Sequence, residues 1–373
     1  MATQEEVKPK PTQLLAAGDH APWFRAAALG GSPGYQFDTV AGRHVVMLFF
    51  GSAGPAPSAE ALALVGRHRA LFDDREACFF GISVDPEDAA QQRIARAIPG
   101  IRFFLDYGRE VSRLYGAADG ASYRPHWLVL DPQLRVLGRF AIGRGEEAIA
   151  LLRARIAAAP RDLWAPVLLA PEVLEPELCA DLIRRYEADG GTPSGFMREV
   201  DGKTVLQVDA AHKQRRDWMI EDPALCRAIA ARMRRRLSPA VARAFQFEAT
   251  RIERYIVACY EAGAGYFRPH RDNTTKGTAH RRFAVTINLN AGDYEGGDLR
   301  FPEYGARTYR APTGGAIVFS CSLLHEATPV TQGRRFAFLP FLYDEEGARL
   351  REANNPHLGE GVGEYRMGEE AKD

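Results

Sequence analysis

Two imidazoles, one carboxylate and one guanidinium stand along residues 270–335 at spacings that packing alone does not require. His270 and Asp272 are two positions apart, His325 lies far downstream, and Arg335 follows it by ten positions. In an extended segment residues i and i+2 share a face, so His270 and Asp272 can aim one nitrogen and one oxygen at a common point. His325 must then arrive from another strand. Two histidines and a carboxylate are the facial donor set of non-haem Fe(II), which leaves other coordination positions open. That is a reaction centre rather than a structural cross-link. A guanidinium fork suits a carboxylate because two parallel charge-assisted bonds fix both position and orientation. Arg335 is the candidate for that role; Arg334, pointing to the opposite strand face, is the fallback.

The elements that must position these groups can be read around them. Ile256 to Tyr260 reads as a strand, followed by a turn with Gly263 and Gly265; Phe283 to Asn290 reads as another, on which Thr286 and Asn288 share a face by period two. Glu295-Gly296-Gly297-Asp298-Leu299 reads as a hairpin, and Pro312 to Phe319 as a turn feeding a buried strand toward His325. From about Ala165 to Tyr343 this order resembles the Fe(II)- and 2-oxoglutarate-dependent dioxygenases, within them the prolyl 4-hydroxylase-like group. The resemblance implies a double-stranded β-helix, the jelly roll or cupin-like fold, with flanking helices. It implies His270, Asp272 and His325 as metal ligands and catalytic centre, Arg335 on the distal carboxylate of 2-oxoglutarate, and Tyr260 with Thr286 or Asn288 nearby. Fe(II), 2-oxoglutarate and dioxygen are the implied cofactors, with ascorbate as a further candidate. The implied reaction hydroxylates an unactivated C–H bond of a peptide or protein residue and yields succinate. The same chemistry on a free amino acid or small metabolite is the second reading, and a non-catalytic two-domain scaffold the third.

Composition narrows the partners. The 373 residues carry 48 basic and 48 acidic side chains, so no global field favours nucleic acid or a membrane surface. No apolar run is long enough for a spanning helix, and Met1 to Lys10 lacks the apolar core of a secretory signal, so a cytoplasmic location is expected. Five widely spaced cysteines without a Cys-x-x-Cys pair indicate neither a disulfide framework nor a zinc ribbon.

Residues 14–159 alternate strand and helix signals: an apolar strand at Val45 to Phe50, a helix from Ser58 to Phe72, a strand at Cys78 to Val84, a helix from Pro86 to Ile98, strands at Trp127 to Leu130 and Arg135 to Ile142, and a closing helix from Glu146 to Ala159. With Gly18-Asp19-His20-Ala21-Pro22 at the entry and Arg124-Pro125 before the Trp127 strand, this resembles a thioredoxin-like α/β sandwich of the peroxiredoxin, AhpC/TSA, type. The resemblance suggests a cis-proline at Pro125. It departs from the family where chemistry would occur, because Gly54 and Pro57 stand at the two cysteine positions and neither supplies a thiolate. A redox-inactive domain that docks a partner or substrate segment near Gly54 and Pro125 is expected, with Cys78 a core residue.

The fold class is therefore α+β with two domains: a disordered 1–13, a thioredoxin-like 14–159, an oxygenase domain 160–345 and a partly ordered tail 346–373. A short link, Ala157 to Asp162, ends the preceding helix at Pro160. Glu177 to Ala188 reads as an amphipathic helix, Gly190 to Gly202 as a loop, Pro223 to Leu237 as a long helix, and Asn273 to Arg282 as a polar lid. The basic stretch His212 to Trp218 and the arginines at 232–236 read as solvated faces, with contact to an acidic partner as the alternative.

Overall fold

The computed structural model describes residues 14–158 and 163–368, so the expectations for residues 1–13 and for most of the link at 157–162 lie outside the described residues. The described residues divide into two compact units, 14–158 with Pro302–Gly305 in the first and the rest in the second.

In the first unit, strands β1 (His44–Gly51), β2 (Ala77–Ser83), β3 (Ile101–Leu105), β4 (His126–Leu130) and β5 (Val136–Ala141) form one sheet in the order β3-β2-β1-β4-β5. β1–β2 and β2–β3 are parallel, whereas β4 and β5 run antiparallel to their neighbours. Central strands covered on both faces need apolar side chains on both, which is why β1 reads as an unbroken apolar run. Val46, Leu48 and Phe50 pack under helices α1 (Ala56–Arg67) and α3 (Gly145–Ala157), while Phe49 on the other face meets Tyr115.

Two expectations need correction here. The helix opening at Pro86, α2, ends at Ala90 instead of Ile98. Gln92 takes the left-handed conformation at φ 54°, which a helix cannot carry, and the Asp88 carboxylate is turned to accept from the Ala53 amide at 3.0 Å. The bond before Pro125 is trans, the default isomer of an X–Pro bond; the cis peptide among the described residues is Ile98–Pro99.

The second unit is two facing sheets wrapped by helices. In chain order its elements are β6 (Leu168–Ala170), α4 (Pro176–Asp189), the hairpin β7 (Phe196–Val200) and β8 (Lys203–Gln207), β9 (Lys213–Gln214), β10 (Arg216–Met219), α5 (Pro223–Arg232), α6 (Ser238–Phe245), β11 (Arg251–Glu253), β12 (Ile256–Glu261) and β13 (Tyr266–His270). Then follow β14 (Phe283–Asn288), β15 (Leu299–Arg300), β16 (Ala316–Ser320), β17 (His325–Ala327), β18 (Val330–Phe338), β19 (Phe341–Tyr343) and α7 (Glu345–Ala353). The larger sheet runs β6-β16-β14-β18-β12-β10, the smaller β9-β13-β17-β15, the jelly-roll arrangement that the sequence implies.

Alternation along β12 decides what faces where. Ile256, Ala258 and Tyr260 point into the space between the sheets with Phe267, Ala327, Ala337 and Leu339, whereas Val257 and Cys259 point outward beneath α4, α5 and α6. Helix α5 does not stop at Leu237: it passes through a π turn at Met233–Leu237 into α6. Pro239 lacks an N–H and its ring would crowd the carbonyl four residues earlier, so the ladder shifts by one residue and continues.

Three further readings differ from the structure. Gly190 to Gly202 is not loop throughout but carries Thr192–Pro193 and the outgoing strand of the β7–β8 hairpin. The supposed lid is packed in, with Thr275, Thr278, His280 and Arg281 all buried. Beyond Tyr343 the chain forms α7, capped by the Asp344 carboxylate accepting from the Gly347 amide at 2.8 Å, and then folds back to bury Tyr365 against Tyr343 and Ala348. Apolar residues too sparse to show a period still sufficed to dock it.

Candidate metal and cosubstrate site

His270 ends β13 and His325 begins β17, and the two are cross-strand partners. The register slips by a bulge between Phe267, opposite Ala327, and His270. Each imidazole uses Nδ1 toward a backbone carbonyl two residues back, His270 to Arg268 at 2.8 Å and His325 to Leu323 at 3.0 Å. That bond places the ring proton on Nδ1 and leaves Nε2 as a free ligand. Asp272 meets both rings, Oδ1 lying 3.5 Å from His270 Nε2 and Oδ2 3.3 Å from His325 Nε2. One ligand atom from each residue falls within 4.8 Å of the others, the only such group of three among the described residues. The three candidate ligands therefore converge, and their donor chemistry fits Fe(II).

Electrostatics prepare these groups to bind a cation. Burial first, then His325, pushes the His270 imidazole down to about 4, so the ring is neutral at physiological pH. Burial would raise the Asp272 carboxyl, but His325, His270 and Arg281 outweigh it and hold the group well below the usual carboxylate range. The Phe267 ring stacks on His270 with centroids 3.4 Å apart, and Lys213 Nζ sits 4.8 Å from the centroid of the Phe267 ring.

Arg335 lies on β18 opposite Tyr260 of β12, 2% exposed, its guanidinium 5.1 Å from the Tyr260 ring centroid. Its Nε has no hydrogen-bond partner among the described residues. An orphaned donor on a buried cation fits an anionic cosubstrate, because leaving it unpaired is costly. Arg334 points the other way, to the surface, and pairs with Glu187 at 2.7 Å. Thr286 lines the same cavity as the three ligands and Arg335. Asn288, on the same strand face, spends its Nδ2 on the Ala311 carbonyl at 2.7 Å and is not among the lining residues.

Several residues at the site escaped the sequence reading. Arg215 pairs with Asp217, Nη2 donating to Oδ2 at 2.7 Å and Nε lying 2.7 Å from Oδ1 as an ion-pair contact, and donates to the Tyr260 hydroxyl at 3.1 Å. Lys213 donates to Ser194 Oγ at 2.7 Å and to the Gly195 carbonyl at 2.5 Å. Burial, and Arg215 beside it, hold that ammonium well below the ordinary lysine range. These side chains correct the reading of His212 to Trp218 as a solvated face: Lys213 and Arg215 are buried. The available signal was the i, i+2, i+4 run Lys213, Arg215, Asp217, two cations and a carboxylate on one side of an extended segment. Likewise Glu253 accepts from Arg281 at 2.6 and 2.9 Å and meets His280 Nε2 at 2.8 Å, and Arg281 donates to the Asp272 carbonyl at 3.3 Å. This buried cluster braces the segment that carries Asp272.

In the first unit, the position of the missing thiols opens on an apolar pocket of about 350 Å³ lined by Phe50, Pro55, Pro57, Tyr123 and Pro125. Gly54 is exposed and does not line it. Cys78 is fully buried, and burial pushes its thiol up to about 12.

Comparison with known proteins gives matching assignments. Residues 255–343 match the 2OG-Fe(II) oxygenase superfamily, and residues 17–137 match the AhpC/TSA family. A PKHD-type hydroxylase of Synechococcus sp. strain JA-2-3B'a(2-13) is 35% identical over 92 residues, 23% of this chain and 41% of that protein. The chain thus spans about two-fifths of the length of that curated relative. Among solved structures, a Pseudomonas putida prolyl-4-hydroxylase aligns at 21% identity and TM-score 0.38, covering 48% of this chain and 93% of that one. Mycobacterium tuberculosis AhpC aligns at 23% identity and TM-score 0.33, covering 39% and 95%. The chain joins a segment resembling the AhpC/TSA family to a segment resembling the 2OG-Fe(II) oxygenase superfamily.

Proposed function

We propose that the second unit is an Fe(II)- and 2-oxoglutarate-dependent dioxygenase that hydroxylates an unactivated C–H bond on a peptide or protein residue, in the manner of a prolyl 4-hydroxylase. The observation that carries this reading is the convergence of His270, Asp272 and His325 within 4.8 Å in a cavity that Arg335 also lines, its buried Nε lacking a hydrogen-bond partner among the described residues. The net reaction takes acceptor, 2-oxoglutarate and dioxygen to hydroxylated acceptor, succinate and carbon dioxide. Bound iron supplies the oxygen chemistry. His270 and His325 present Nε2 donors, Asp272 presents a carboxylate, and Arg335 orients the distal carboxylate of the cosubstrate beside Tyr260 and Thr286. The walls Phe267, Leu299 and Phe319 keep bulk water from the reacting atoms.

For the first unit we infer acceptor docking rather than thiol chemistry, supported by Gly54 and Pro57 at the reactive positions and by the deep burial of Cys78. Five unpaired cysteines fit a reducing compartment, and we infer a cytoplasmic location. Among the described residues no helix is long and apolar enough to cross a membrane.

The test is untargeted. Full-length protein with Fe(II), 2-oxoglutarate and ascorbate is incubated with lysate, and succinate is measured alongside the gain of one oxygen on a defined molecule. Coupled formation of both, lost in His325→Ala, is expected; no iron-dependent consumption of 2-oxoglutarate with any acceptor would end the hydroxylase reading.

A further inference from the structure

Four guanidiniums stand at or beside the cavity, and three have an assigned counter-charge. Arg215 is paired with Asp217, Arg281 is forked on Glu253, and Arg335 is set against the cosubstrate. Arg254 is the fourth. Among the described residues it makes no ion pair, and its side chain's one hydrogen bond runs from Nε to the Leu339 carbonyl at 3.2 Å. It lines the same cavity as the metal ligands, and its guanidinium lies 4.2 Å from the Phe341 ring centroid, with Arg281 at 4.1 Å from the same ring.

Three observations say that this placement serves a ligand. Arg254 sits at φ 56°, in the left-handed region that a residue with a Cβ adopts at a cost and that clusters at ligand clamps. Burial, together with the positive charges of Arg281 and Arg215, pushes its guanidinium down to about 10, so the protein alone gives it too little negative charge. The charges of the loaded site leave it uncompensated as well: a ferrous dication and Arg335 cancel Asp272 and a doubly anionic cosubstrate. Arg254 is also out of the cosubstrate's reach. It is tied to the Leu339 carbonyl just past the end of β18, whereas Arg335 stands within that strand opposite Tyr260.

We infer that Arg254 is the acceptor-recognition residue and that it grips a carboxylate carried by the molecule to be hydroxylated. This rests on the hydroxylase reading and adds the chemical class of its substrate. The carboxylate can come from an Asp or Glu side chain of a peptide or from the α-carboxylate of a free amino acid; the experiment separates the two.

Full-length protein, saturated with Fe(II) and 2-oxoglutarate, is assayed with end-blocked peptides carrying a central proline and an Asp or Glu at varied offset, with matched Asn and Gln peptides, and with free amino acids. The acidic members are expected to show a KM lower by on the order of tenfold or more, the weight of a charge-assisted hydrogen bond. Arg254→Gln should erase that preference and Arg254→Glu should turn it toward peptides bearing Lys. Preference among blocked peptides identifies a side-chain carboxylate; preference confined to free amino acids identifies the α-carboxylate. Equal KM for acid and amide members in the parent protein overturns the assignment, as does a rise in the 2-oxoglutarate requirement of Arg254→Gln with the acceptor preference intact. Equilibrium binding of the same peptides to the iron- and 2-oxoglutarate-loaded protein under nitrogen reads the Arg254 contact without turnover. A parent protein that consumes no 2-oxoglutarate but still binds acidic peptides through Arg254 would remove the hydroxylase reading and leave the recognition residue standing.

Discussion

Parity along one strand separates two neighbouring arginines. Arg335 faces Tyr260 between the sheets, and Arg334 turns out to Glu187. Replacing Arg335 by Gln removes a buried charge-assisted contact, so the 2-oxoglutarate concentration for half-maximal turnover should rise roughly tenfold or more, while Arg334→Gln shifts it less than about twofold; succinate formation against cosubstrate concentration reads both. The ligand candidates and the two arginines were legible because a donor set has a fixed composition and strands have a fixed period. Lys213, Arg215, Glu253 and Arg254 were not. Charged residues are ordinarily outside; Lys213 and Glu253 are buried beside partners on distant segments, Ser194 and Arg281, and the run at 213, 215 and 217 marks an ion pair without saying that it is buried.

Elements dock through such distant pairs too. Glu175, at the start of α4, accepts from Arg232 at 2.5 Å and from Arg236 at 2.5 Å, tying α4 to the end of α5 and the π turn. Those hydrogen bonds, Arg232 first, pull the Glu175 carboxyl from 4.5 down to about 2. The folded state therefore holds this proton more weakly than the unfolded chain does. The stabilisation is fully present above about pH 4.5 and is lost as pH falls toward 2. Urea unfolding of the parent and of Glu175→Gln should differ at pH 6, with the gap closing as pH approaches 2; both partners are partly exposed, so the gap is small. A gap that does not change with pH would mean that the tie carries no weight. The same arginines show the limit of local reading: as a basic run they look solvated, and two of them are helix-to-helix ties. The π turn was illegible because a proline ordinarily marks an end, and only neighbouring packing carries the helix past it.

Each unit of the whole molecule has its own core, one around β1 and its helices and one beneath and between the sheets of the second unit. A chain lacking residues 1–157 is therefore expected to fold and to consume 2-oxoglutarate with short peptides, but to lose most turnover on its protein acceptor. Unchanged turnover on that acceptor, measured as oxygen gained by intact protein, would dispose of the docking role. Both architectures were legible at this scale because strand and helix signals alternate in one half and strands dominate the other. The fold-back that buries Tyr365 was not, since three scattered apolar residues make no period.

Three steps along one strand, from Phe267 to His270, are matched to two along its partner, from Ala327 to His325. An odd step along a regular ladder sends side chains to opposite faces, yet Phe267 and His270 lie ring on ring in one cavity. The bulge at this spot is therefore a determinant in its own right. Were the same three steps paired as a regular ladder, the pairing at Phe267 could be kept while the imidazole turned to solvent, giving a domain that is intact by every measure of folding and empty at its centre.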